Sequence, residues 1–120
     1  MNKEIKALWI EALRSGKYVQ GMGFLNNNGK FCCLGVLCEL SAEAGIAERR
    51  YVSNRGYYDL RIGLMEPKAW ATFGEYLPKL VQEWAGLDCK DPKLGPTSCT
   101  EENDSEKTFD QIASLIEAHL

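Results

Sequence analysis

Residues 3–15 place Ile5, Leu8, Trp9, Ala12 and Leu13 at the i, i+3, i+4, i+7, i+8 spacing of one helix face. Asn2 can accept hydrogen bonds from the first free amides, and Gly16 suits the left-handed position after the end. The next apolar stretch, Tyr18–Leu25, is interrupted by Gly21 and Gly23 and runs into Asn26-Asn27-Asn28-Gly29. Asn-Gly tolerates positive φ at both central positions of a tight turn, so a hairpin is expected here. Tyr18–Leu25 and Lys30–Cys33 are then antiparallel partners. The two glycines mark a bulge or a close backbone approach.

Residues 31–38 read FCCLGVLC and are apolar almost throughout. They predict a core strand running directly into a buried helix, with Leu34, Leu37, Cys38 and Ser41 at helical spacing and Gly45 ending it. From Ile46 to Pro67 the pattern breaks into short pieces rich in Arg, Tyr and Gly, read as a second hairpin or an ordered loop. Tyr76, Leu77, Leu80, Val81 and Trp84 predict a third helix with Pro78 in its first turn and Gly86 closing it. Leu87–Ser98, with Pro92, Gly95 and Pro96, reads as a loop. Thr108 and Gln111 form a capping box for a last helix carrying Phe109, Ile112, Ala113 and Ile116. Trp9 and Trp84 lie on apolar stripes and are expected as core anchors, whereas Trp70 has less context. The sum is an α+β fold. A small antiparallel sheet packs against three to four helices in a single compact domain spanning 1–120.

Bulk composition narrows the function classes. The 120 residues are 45% hydrophobic and 26% charged, which suits one globular domain with one modest core. The net charge is −3, and a non-specific nucleic-acid binder is usually basic. Residues 1–60 hold eight Lys or Arg against six Asp or Glu, a net +2; residues 61–120 hold six against eleven, a net −5. No apolar run approaches the length of a membrane span, and the N-terminus lacks a signal core, so a cytoplasmic location is expected. Five cysteines cannot all pair within one chain, and in a reducing compartment they are thiols.

The cysteines invite a metal or nucleophile reading first. Cys32, Cys33 and Cys38 lack the Cys-x-x-Cys spacing of zinc sites, so the segment reads as core thiols with no metal and no cofactor. A cysteine nucleophile needs a base, and the single histidine, His119, is the penultimate residue. Gly21-Met22-Gly23 lacks the third glycine and the following helix of a phosphate loop. The richer cluster is Arg49, Arg50, Tyr51, Arg55, Tyr57, Tyr58 and Arg61. Guanidinium groups grip phosphates or carboxylates, and phenol rings stack on bases. Solvated arginines on a structural hairpin, with tyrosines covering the core, are the competing reading. Asn103-Asp104 is a further candidate for polar ligand contact, set against an ordinary turn or cap.

The order of these pieces resembles a known family. A first helix with Trp9 ends in ALRSGKY, then come Gly21 to Leu25, FCCLGVLCEL, and finally NDSEKTFDQIASLIE. These residues resemble a widespread uncharacterised family of small phage, prophage and bacterial proteins. Its members share "W…ALRSG.Y.QG…CCLGVLC.L" and "LND…SF..IA..IE". Glu102 departs from that pattern, standing where the family has an apolar residue.

The resemblance implies a phage context. With no catalytic constellation, it points to a non-catalytic accessory protein that binds a host component. The component is a small anionic, nucleotide-like defence signal or a host defence protein. The expected ligand-binding residues are Arg49, Arg50, Arg55, Tyr57, Tyr58, Arg61, Asn103 and Asp104. Homo-oligomerisation is open, and neither specific nucleic acid nor membrane is an expected partner. The alternatives are a helix-turn-helix-like regulator, for which no recognition helix follows Leu120, and a small enzyme using a cysteine or carboxylates such as Glu66 with Glu75.

Overall fold

In a computed structural model, the backbone is described for residues 1–52, 55–59 and 74–120, and the side chains for 1–49 and 74–120. Helix α1 (Lys3–Arg14) begins where its cap predicts. The Asn2 side chain accepts from the Glu4 and Ile5 amides, and Gly16 follows the end at φ 75°. A cap of this kind is worth about 1 kcal/mol. The apolar face carries Ile5, Trp9 and Leu13 into the core. Trp9 is wholly buried, and its indole Nε1 donates to the Cys33 carbonyl at 2.9 Å. Burying about 200 Å² of indole contributes on the order of 5 kcal/mol.

Helix α2 (Cys33–Glu43) is the centre of the molecule. Every residue from Cys33 to Cys38 is buried, as expected of a helix apolar on all sides. The expected core strand in this segment is only β3 (Lys30–Phe31); the helix starts at Cys33, with Cys32 at the cap position. The apolar run was ambiguous between strand and helix. The helix is favoured because Gly35 lets α2 lie against the β2 end of the hairpin. A Cβ at Gly35 would sit 1.8 Å from the Leu25 carbonyl oxygen. Gly45, at φ 75°, ends the helix region as expected.

The Asn-Gly turn forms as predicted. β2 (Asn26–Asn27) pairs antiparallel with β3 through Asn27 and Lys30, and Asn28 and Gly29 have φ of 54° and 83°. The buried Asn26 side chain accepts from the Gly29 amide at 2.9 Å. The expected antiparallel pairing of Tyr18–Leu25 with Lys30–Cys33 survives only at its turn end, where the Phe24 carbonyl accepts the Cys32 amide at 3.2 Å. Instead β1 (Val19–Gln20) runs parallel to β3, with Val19 opposite Lys30 and Gln20 opposite Phe31. The chain reverses between the glycines before it enters β2. Gly21 is the close approach that the sequence signalled, since a Cβ there would meet Lys30 Cβ at 2.8 Å.

Ile46–Pro67 does contain a second hairpin. β4 (Glu48–Val52) pairs antiparallel with β5 (Arg55–Asp59), and β5 joins β2, giving the five-stranded order β1-β3-β2-β5-β4. The third helix, α3 (Lys79–Ala85), starts later than expected: Pro78 is its extended cap residue, and Tyr76 and Leu77 precede it. Leu77, Val81 and Ala85 are buried and Trp84 partly so. Gly86 closes α3 at φ 70°.

The stretch read as a loop holds a small hairpin, β6 (Lys93–Leu94) with β7 (Thr97–Ser98), turned by Gly95-Pro96. Ser98 then caps a short helix that the sequence reading missed, α4 (Cys99–Asp104). The last helix, α5 (Phe109–His119), carries the predicted capping box, with both reciprocal bonds between Thr108 and Gln111 present. It packs along α1, and Arg14 reaches Asp110 at 3.3 Å and Glu117 at 3.4 Å. The architecture is α+β, with five helices among the described residues rather than three to four.

Candidate functional site

Two of the expected site residues, Asn103 and Asp104, are not a turn before the last helix. They end α4, and Asn103 is wholly buried. Its Oδ1 accepts from the Cys33 amide at 3.2 Å and from Gln20 Nε2 at 3.0 Å. Its Nδ2 donates to the Gly21 carbonyl at 2.8 Å. Cys33 opens α2, and the residue before it, Cys32, makes no side-chain cap bond. Asn103 therefore supplies from α4 the acceptor that a local cap would otherwise give. Gln20 Nε2 also donates to the Lys107 carbonyl at 2.7 Å, tying in the turn before α5. Residues near positions 20, 33 and 103 meet at one buried polar hub.

Asp104 is exposed beside it and accepts from the Gly23 amide at 3.1 Å. The carboxylate borders a cleft of about 70 Å³ lined by Gly23, Cys32, Glu75, Tyr76, Thr100 and Asp104. Lys90 stands over the Tyr76 ring at 4.6 Å. The carboxylates of Glu75 and Asp104 make this a poor seat for phosphate. Glu66, the carboxylate considered with Glu75, lies outside the described residues.

Cys32, Cys33 and Cys38 have thiol pKa values raised above their ordinary range. Burial pushes the Cys32 thiol up, helped by the neighbouring Cys33, while the Gly35 and Leu34 amides pull it partly back. Cys33 is held well above its ordinary range first by its hydrogen bond with Cys99 and then by burial. Cys38 is pushed up by burial above all. A nucleophilic thiol needs the opposite shift. His119 packs against the β6–β7 turn, its Cε1 3.3 Å from where a Cβ on Gly95 would stand. Among the described residues, no three His, Cys, Asp or Glu side chains stand together so as to hold a metal ion. Within the same residues, no helix is long and apolar enough to cross a membrane.

The Arg/Tyr cluster lies on the β4–β5 ribbon. Its register sets Arg49 opposite Tyr58, Arg50 opposite Tyr57, and Val52 opposite Arg55. Arg61 lies outside the described residues. Facing positions in an antiparallel pair share a face and successive positions alternate. Positions 49, 51 and 58 therefore fall on one face, and positions 50, 55 and 57 on the other. Arg49 is committed to α2, its Nε 2.9 Å from Glu39 Oε2. Tyr18 stands beside this pair. Its hydroxyl lies 3.4 Å from Glu43, and burial first, then the Glu43 charge, raises its pKa. The described partners of Asn103 and Asp104 belong to the hub rather than to the ribbon.

The hub residue Gln20 and the anchor Glu39 were not singled out from the sequence, and Gly21 was read only as a close backbone approach. Gln20-Gly21 was visible as part of the first motif, but only the fold sets it against Asn103. The chain belongs to a family defined as a domain of unknown function, DUF8296, whose profile matches residues 1–120. No curated protein and no solved structure matches it.

Proposed function

We propose that this protein is a non-catalytic, phage-type accessory protein of the host cytoplasm. On this reading it sequesters a small anionic, ring-bearing host molecule such as a nucleotide-like defence signal. The ligand lies on the β4–β5 face that carries positions 50, 55 and 57. The observation behind this reading is the cross-strand register taken together with the Arg49–Glu39 ion pair. Arg49 anchors the ribbon to α2, and positions 50, 55 and 57 belong to the face opposite that anchor. Two arginines and a tyrosine at positions of one face offer the donors and the stacking surface that a nucleotide needs. Glu48 and Asp59 pair at the other end of the same face. Their charge would repel phosphates, so the phosphates belong near Arg55 and Val52.

Protonated, buried thiols favour binding over chemistry. Asn103, the buried polar side chain at the hub, spends its hydrogen bonds on the fold. Native mass spectrometry of the protein purified from phage-infected cells tests the reading. A bound small molecule of nucleotide-like mass supports it. A bound host protein, or the bare chain, argues against it.

A further inference from the structure

Cys33 and Cys99 are the first residues of α2 and α4, and both are wholly buried. The Cys33 thiol donates to the Cys99 carbonyl oxygen at 3.5 Å, so the two residues are direct neighbours in the core. Both are free, as are Cys32, Cys38 and the exposed Cys89. Their sequence neighbours Cys32 and Thr100 line the cleft beside Asp104. A bond between Cys33 and Cys99 would thus stand directly behind the cleft wall. It would tie the start of α4 to the start of α2, the same two helices that the Asn103–Cys33 hydrogen bond joins at the far end of α4.

We infer that Cys33 and Cys99 form a redox latch, closed to a disulfide by a low-molecular-weight disulfide oxidant. In the step, the Cys33 thiolate attacks one sulfur of oxidised glutathione and releases one reduced glutathione. The Cys99 thiolate then attacks the Cys33 sulfur, breaks the mixed disulfide and releases the second. The two thiol protons end on the two glutathiones, and the protein is left two hydrogens lighter. Two cysteines held side by side in the core have a high effective concentration for each other, which favours the internal bond over any mixed disulfide. Burial acts on rate: enclosed thiols exchange slowly, through local opening. The latch is therefore slow to close and hard to reduce. Cys89, exposed and without a partner thiol, serves as the internal control.

The whole chain is equilibrated in glutathione buffers of graded ratio, quenched with acid, alkylated and mapped by peptide mass. The expected product is a Cys33–Cys99 bridged peptide. It persists at reducing ratios that have already cleared glutathione from Cys89, and the bridged protein has a higher Tm that reductant reverses. Cys99→Ala and Cys33→Ala abolish the bridge and the oxidation-dependent rise in Tm, while Cys38→Ala retains both. Three outcomes overturn the inference: Cys33 and Cys99 reduced at every ratio, a bridge that runs to Cys32, Cys38 or Cys89 instead, or a Cys33–Cys99 bridge that lowers the Tm.

Discussion

The Asn103 side chain caps α2 from a distance, accepting the Cys33 amide at 3.2 Å across 70 residues of sequence. A buried amide with no acceptor costs about 1–3 kcal/mol, and Asn103 also holds Gln20 and the Gly21 carbonyl. Asn103→Ala is therefore expected to lose roughly 2–4 kcal/mol in urea unfolding, with a shift in midpoint and little change in slope. Asn103→Asp keeps the acceptor but cannot donate to Gly21, and should also be destabilised. A loss below about 0.5 kcal/mol for Asn103→Ala, the range of ordinary surface changes, would contradict the hub.

Gly35 is required by space rather than by φ. Its Cβ would stand 1.8 Å from the Leu25 carbonyl oxygen and 2.7 Å from the Leu25 carbonyl carbon. Backbone on both sides leaves nothing flexible to yield. Gly35→Ala should cost at least about 3 kcal/mol or abolish folding. Gly23→Ala, at φ 81° with open space around it, should cost only about 1 kcal/mol. Thermal unfolding of the two variants that ranked them equal would refute the close packing of α2 on this turn.

Much of this was legible in the sequence and some was not, for identifiable reasons. Asn2, Gly16, Asn28-Gly29 and the Thr108–Gln111 box are local devices whose chemistry is complete within a few residues, so each could be read directly. Cys32, Cys33 and Cys38 could be placed in the core before their backbone was known, because an all-apolar run is buried as strand or as helix. Helix against strand was undecidable there, since FCCLGVLC carries no period, and the choice depends on Gly35 meeting Leu25. The parallel β1–β3 pair depends on the chain reversing between Gly21 and Gly23, which a hairpin signal does not specify. Asn103 read as a turn residue because its partners, Gln20 and Cys33, are distant in sequence. The Arg/Tyr cluster was visible as composition, but only the register divides it between two faces.

Raised thiol pKa values make stability fall at alkaline pH. The unfolded thiols ionise near the ordinary value of 9.0, while folded Cys32, Cys33 and Cys38 stay protonated well above it. Stability from these groups is fully present below that pH and is lost as pH rises beyond it. Each thiol adds a slope of up to about 1.4 kcal/mol per pH unit. Urea unfolding from about pH 8 to about pH 10.5 should show this decline, and Cys38→Ala should make it shallower. At neutral pH a bulky thiol reagent should modify Cys89 alone, with the other four reacting after unfolding. An alkaline slope unchanged in Cys38→Ala would count against the burial.

Glu102 is a misfit in its surroundings. Its side chain is 13% exposed, and Oε1 takes the Thr97 hydroxyl. Oε2 is buried with no hydrogen bond among the described residues, and Lys107 Nζ stands 3.8 Å away. A long, partly buried ion pair barely offsets carboxylate desolvation. Glu102→Leu is expected to raise stability by about 1 kcal/mol in urea unfolding. A loss of similar size would show that Lys107 and Thr97 compensate the charge.

The central functional claim is that one face of the β4–β5 ribbon binds an anionic, ring-bearing ligand. Calorimetric titration of linear and cyclic nucleotides into the wild type, Arg55→Ala, Tyr57→Ala and Glu39→Gln tests it most directly. The account predicts that one nucleotide class binds the wild type and loses about ten- to hundredfold in affinity in each ribbon variant. Folding should be retained in both, and Glu39→Gln should leave affinity within a fewfold because the anchor is on the other face. Binding of no nucleotide, binding that survives both ribbon substitutions, or unfolding of both variants would contradict the claim and return the cluster to a structural hairpin.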